Sequence, residues 1–122
     1  MHCELTSGEF EEFEEFEGFV RDPSCDFSII DFWAPWCGPC QQFGPIFSEV
    51  AEYFVNKDFK SSIRFAKLNI DSNMQLARKC KISAIPCVVV YTNDGQEATR
   101  FLGLLSKKEL ISKIESIVRK ED

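Results

Sequence analysis

At 122 residues with 44% apolar content, the chain has material for one well-buried core, and a single domain over 1–122 is expected. Its net charge of −6 works against nucleic acid and anionic membrane as partners, because both reward Lys and Arg. No apolar run approaches the roughly 18 residues of a membrane span, and Met1-His2-Cys3-Glu4 lacks the basic-then-apolar order of a secretory signal, so a cytoplasmic address is expected.

Residues 2–6 suit a short edge strand, and Thr6 with Glu9 has capping-box spacing, so a helix is expected to start there. Phe10, Phe13, Phe16 and Phe19 recur every three residues against Glu9, Glu11, Glu12, Glu14, Glu15 and Glu17. That pattern reads as an amphipathic helix with a solvated acidic side; the alternative is an acidic docking face for a basic partner. Residues 27–34 are apolar on both faces, as in a central strand covered by helices on both sides. After Trp36-Cys37-Gly38-Pro39-Cys40, an apolar stripe of Phe43, Ile46, Phe47, Val50, Ala51 and Phe54 marks a helix over 41–56, with Pro45 inside it. Residues 63–70 form the next strand, giving a strand–helix–strand crossover. Asp71 or Ser72 is expected to cap a short helix ending near Cys80. Strands over 86–92 and 97–102 flank Asn93-Asp94-Gly95-Gln96, a hairpin signal. Ser106 with Glu109 opens a last helix striped by Leu110, Ile111, Ile114, Ile117 and Val118. The expected class is α/β, a mixed sheet flanked by helices.

The chemistry concentrates at Cys37 and Cys40. Six cysteines would suit a secreted disulfide scaffold, but their density is modest and the core supply ample, so most are expected as reduced thiols. A Cys-x-x-Cys pair at a strand-to-helix junction reads as a redox motif. Residues three apart on a helix are neighbours, so the two sulfurs can join with little backbone movement. A helix dipole contributes about 0.3–1 kcal/mol, and up to about 2 when partly buried; at 1.36 kcal/mol for each pH unit, that brings a thiol towards neutrality. Cys37, at the helix start, is therefore the expected attacking thiol. Cys40, one turn in and more covered, is the resolving one. Pro39 stiffens the loop, and Gly38 leaves room for another backbone to approach.

Asp31 shares a strand face with Phe27, Ile29 and Trp33. Buried there, it is a candidate proton acceptor for Cys40; a solvated carboxylate at a strand end is the alternative. Lys67, on the face of Ile63 and Phe65, either approaches Asp31 or reaches solvent. For Ile85-Pro86 the residues alone favour a trans bond.

Asp31-Phe32-Trp33-Ala34 with Trp36-Cys37-Gly38-Pro39-Cys40, then Pro45, the run Ala66-Lys67-Leu68-Asn69-Ile70-Asp71, Ile85-Pro86 and Gly103 together resemble the thioredoxin family, from about residue 5 to 118. The resemblance implies a thioredoxin fold, with a mixed sheet of four to five strands and helices on both faces. It also implies a monomeric protein-disulfide reductase that needs no metal or other cofactor, with disulfide-containing proteins as clients and a thioredoxin reductase as electron donor. It makes Pro86 cis and facing the sulfurs, and Trp36, Gly38, Pro39, Ile85, Pro86 and Gly103 a docking patch. Asp31, helped by Lys67, would manage the proton on Cys40. Three positions depart from the family pattern: Gln41 in place of a common Lys or Arg, Cys87 in place of a common Thr, and Cys80 in place of a common aromatic. Cys80 and Cys87 are either small core residues or regulatory thiols. Cys3 and Cys25 are expected in exposed stretches. Two other functions compete: an adaptor module in which redox chemistry is secondary, and structural zinc on Cys37, Cys40, Cys80 and Cys87.

Overall fold

The computed structural model of the chain describes residues 5–7, 13–57 and 61–121. Among them the elements run β1 (Leu5–Ser7), α1 (Phe13–Val20), β2 (Phe27–Trp33), α2 (Gly38–Val55), β3 (Ile63–Asn69), α3 (Met74–Lys79), β4 (Cys87–Thr92), β5 (Glu97–Leu102) and α4 (Lys107–Glu121). The strands form one five-stranded sheet in the order β1-β3-β2-β4-β5. β1, β3 and β2 are mutually parallel, while β4 is antiparallel to both β2 and β5. This is the mixed sheet that the pattern of runs and turns predicts.

β2 lies at the centre and is buried over its first six residues, as expected of a strand covered on both faces. Alternation sends Phe27 and Ile29 into a core with Phe43, Phe47, Phe54 and Leu110 from α2 and α4. The other parity sends Ile30 and Phe32 into a second core with Phe16 and Val20 of α1 and Leu76 of α3. Phe47 meets Phe65 edge-on at 5.7 Å, and Phe16 meets Tyr91 edge-on at 5.6 Å, so each layer has its own aromatic lock. The Ser106–Glu109 capping box is reciprocal, with Glu109 N–H donating to Ser106 Oγ and Ser106 N–H to Glu109 Oε1.

Three local expectations need correction. Thr6, expected to open a helix, sits in β1, its backbone paired with Ala66 at the sheet edge. Glu9, Phe10, Glu11 and Glu12, like Cys3 and residues 2 and 4 of the expected edge strand, lie outside the described residues. The α3 N-cap is Asn73, not Asp71 or Ser72, because those two are used in a turn held by the Ser72 N–H on Asn69 O. Cys25 is buried rather than exposed, since the chain turns inward there to start β2.

Candidate functional site

Cys37 is the N-cap of α2, with extended backbone at φ −91° and ψ 111°. An N-cap side chain satisfies one of the orphan N–H groups of a helix start. Gly38 and Pro39 fill the first two helical positions, and Pro39 has no N–H. The Cys40 N–H therefore takes the role, donating to Cys37 Sγ at 3.2 Å. Cys37 and Cys40 are joined as a disulfide, with their Cα atoms 5.2 Å apart.

Cys40 is the more covered of the two, but only just: 3% exposed against 6%. Ile85 packs against both cysteines and Ala34, which is why Cys37 is less open than its place at a helix start implies. What separates the sulfurs is their surroundings. Cys37 Sγ lies 3.9 Å from the Ile85 carbonyl oxygen, whereas Cys40 lines a cavity of about 390 Å³ with Asp31, Trp33, Gln41, Gly44, Pro45, Ser48 and Lys67.

The Ile85–Pro86 bond is cis, as the family resemblance implies and contrary to what the dipeptide alone favours. Next to it the Gly103 N–H donates to Pro86 O at 2.9 Å. Gly103 has φ +87°, a conformation that suits glycine alone. Beside it Leu102 and Leu104 are exposed, as are Met74 and Trp36. Trp36, 67% exposed, is steadied by its indole N–H donating to Asp71 Oδ1 at 3.1 Å. A Cβ added at Gly38 would meet nothing within 4 Å, so the surface over the disulfide is open there.

Asp31 is 1% exposed, and its Oδ1 has no hydrogen-bond partner among the described residues. Burial pushes its carboxyl up from the ordinary 3.8 to about 7, with the Lys67 charge pulling the other way less strongly. Lys67 stands opposite Asp31 in the parallel ladder, but its ammonium donates to Gly44 O at 3.2 Å. It is half-buried and lines the same cavity. Gln41 holds the loop before Cys37 through a hydrogen bond that its side-chain Nε2 donates to Pro35 O at 3.0 Å.

Cys80 and Cys87 belong to the core on the α1/α3 side of the sheet and not to the disulfide's own cluster. Burial pushes both thiols up, against the thiolate form. Among the described residues no three His, Cys, Asp or Glu side chains are grouped to hold a metal ion, and no helix is long and apolar enough to cross a membrane. Sequence reasoning missed the exposed Leu102, Leu104 and Met74; the apolar residues flanking Gly103 were the available signal. It also missed Arg100 and Glu97, which carried none.

A family model described as Thioredoxin matches residues 9–116. A thioredoxin of Mycoplasma pneumoniae is 39% identical over 83 residues, covering 68% of this chain and 74% of that protein. One of Pseudomonas aeruginosa is 37% identical over 82 residues, covering 67% and 70%. The solved structure of a mutant thioredoxin from Halobacterium salinarum superposes with a TM-score of 0.72 at 26% identity, covering 96% of this chain and 91% of that one.

Proposed function

The chain belongs to the thioredoxin family and carries its dithiol–disulfide exchange pair, and from that premise we propose that it reduces the disulfides of client proteins, with Cys37 attacking and Cys40 resolving. The observation that carries this division is the Cys40 N–H on Cys37 Sγ, which favours the thiolate at Cys37 and not at Cys40. The Cys37 thiolate attacks one client sulfur, the client S–S bond breaks, and a mixed disulfide forms as the first client thiol leaves. Cys40 then gives its proton to Asp31 and attacks Cys37 Sγ. The second client thiol departs, and the Cys37–Cys40 disulfide remains. Two electrons have passed to the client, and a reductase dithiol restores the pair.

The client rests on the open surface over Gly38 and Pro39 and on Trp36, Ile85, Pro86 and Gly103, a patch extended by Leu102, Leu104 and Met74. Lys67 tempers Asp31 without neutralising it. The burial of Cys87, and the packing of half-buried Cys80 against the same core, support packing over regulation for both. The 122 residues act as one domain, a cytoplasmic monomer. The test is trapping: Cys40→Ser accumulates mixed disulfides with client proteins through Cys37, and Cys37→Ser accumulates almost none. Equal trapping by the two variants would overturn the assignment.

A further inference from the structure

Residues 80–86 link α3 to β4 and end at the Ile85–Pro86 pair beside Cys37. Their first turn is a Schellman closure of α3: Lys81 N–H donates to Arg78 O at 3.0 Å and Ile82 N–H to Ala77 O at 3.0 Å. Lys81 sits there at φ +58°, where glycine is the usual occupant. The loop therefore starts from a conformation its own residue does not favour, and something else must hold it.

Arg100 of β5 does so. Its Nη2 donates to Cys80 O at 2.9 Å and its Nη1 to Lys81 O at 3.0 Å. The same guanidinium engages both oxygens of Glu97, from Nε at 2.6 Å and Nη2 at 2.7 Å. At the far end of the loop, the Gly103 N–H holds Pro86 O at 2.9 Å. β5 and the residue that follows it thus grip the loop at both ends.

The Glu97–Arg100 pair depends on an irregularity in β5. Residues three apart on a regular strand point to opposite faces. Here Val90 pairs with Thr99 but Tyr91 pairs with Glu97, so Ala98 is an extra residue and the bulge returns Glu97 to the face of Arg100.

We infer that Arg100, oriented by Glu97, is a positioning residue for client docking: it fixes the loop whose Ile85 carbonyl stands beside Cys37 Sγ. This rests on the reading that clients dock on that loop. Arg100 touches no reacting sulfur, so its loss acts on docking of a protein backbone and not on exchange itself.

The experiment compares insulin, a protein disulfide, with dithiobisnitrobenzoate, a small disulfide that needs no backbone docking. Arg100→Ala raises KM for insulin about tenfold, the loss expected for charge-assisted bonds, and leaves kcat and the small-disulfide rate within about twofold. Arg100→Lys restores part of the loss, because one ammonium keeps the charge but cannot fork between Glu97 and two carbonyls. Glu97→Gln gives a smaller rise of the same kind and serves should Arg100→Ala fold poorly. An insulin KM unchanged within about twofold in both Arg100→Ala and Glu97→Gln overturns the inference, as does a parallel fall with both substrates. Ile85→Asp separates the two readings: if it leaves the insulin KM unchanged, docking on the loop itself is wrong whatever Arg100 does.

Discussion

Asp31 and Arg100 lie on opposite faces of one sheet, the first opposite Val88 and the second opposite Val89, and their charges meet opposite treatment. Asp31 is buried with an oxygen that no described residue bonds. Arg100 makes four hydrogen bonds through its guanidinium and remains partly open to solvent. An unpaired buried carboxylate weighs against folding, which is the ground for the chemical role proposed for it. A saturated guanidinium has nothing left to react with and acts on shape. The two proposed roles thus put reactivity on one face of the sheet and placement on the other, and they predict different responses to mutation.

The largest difference is in stability against pH. Because Asp31 ionises near 7 in the folded chain and near 3.8 otherwise, the folded state holds its proton more tightly. Its contribution is then fully favourable below pH 3.8 and is lost as pH rises through about 7. At 1.36 kcal/mol for each pH unit, the interval amounts to about 4 kcal/mol. Asp31→Asn, which never ionises, should thus be more stable than the parent by up to about 4 kcal/mol at pH 9 and by almost nothing at pH 4. Denaturant unfolding of the oxidised proteins at both pH values measures it. The same variant should slow resolution of the mixed disulfide, so a stabilised protein that works less well is expected. Equal stability of variant and parent at pH 9 would remove the buried charge from the comparison.

Arg100→Ala should show the reverse signature. It loses bonds to two carbonyls and a carboxylate, and a cost of about 1.5–3 kcal/mol is expected for charge-assisted bonds at a partly exposed site. Neither Arg100 nor Glu97 changes charge between pH 6 and 9, because each bond favours the ionised partner. The difference from the parent should be flat over that range when unfolding is followed in denaturant. A slope would mean that the pair is coupled to a titrating group and would blur the contrast with Asp31.

How much of this was legible in the sequence follows from the same contrast. Asp31 was legible because β2 is regular: strict alternation assigns it to the face of Phe27 and Ile29, and the structure puts it there. The N-cap sulfur was legible because Pro39 and Cys40 stand at fixed offsets in a helix start. Glu97 and Arg100 were hidden because the bulge at Ala98 breaks the parity by which strand faces are assigned. Cys25 was misread because a turn composition around Pro23 says nothing about whether the next side chain points inward. The Gly103 N–H reaches Pro86 O from just beyond β5, a contact that no local rule contains.

Lys67 gives the smallest and sharpest test. Among the described residues it is the single cation lining the cavity with Asp31 and Cys40, and its ammonium is aimed at Gly44 O while its charge still draws the carboxyl down. Lys67→Gln removes that charge and keeps an amide donor for the carbonyl. Asp31 should then ionise at higher pH, by less than burial alone has moved it, because burial is the larger influence. With the carboxylate as the proposed base of resolution, the rate should climb at higher pH than in the parent and fall about two- to fivefold at pH 7. Stopped-flow tryptophan fluorescence across pH 5–9 follows the step. If the profile does not move, Lys67 is not a partner in charge to Asp31, and the orphaned carboxylate owes its behaviour to burial alone.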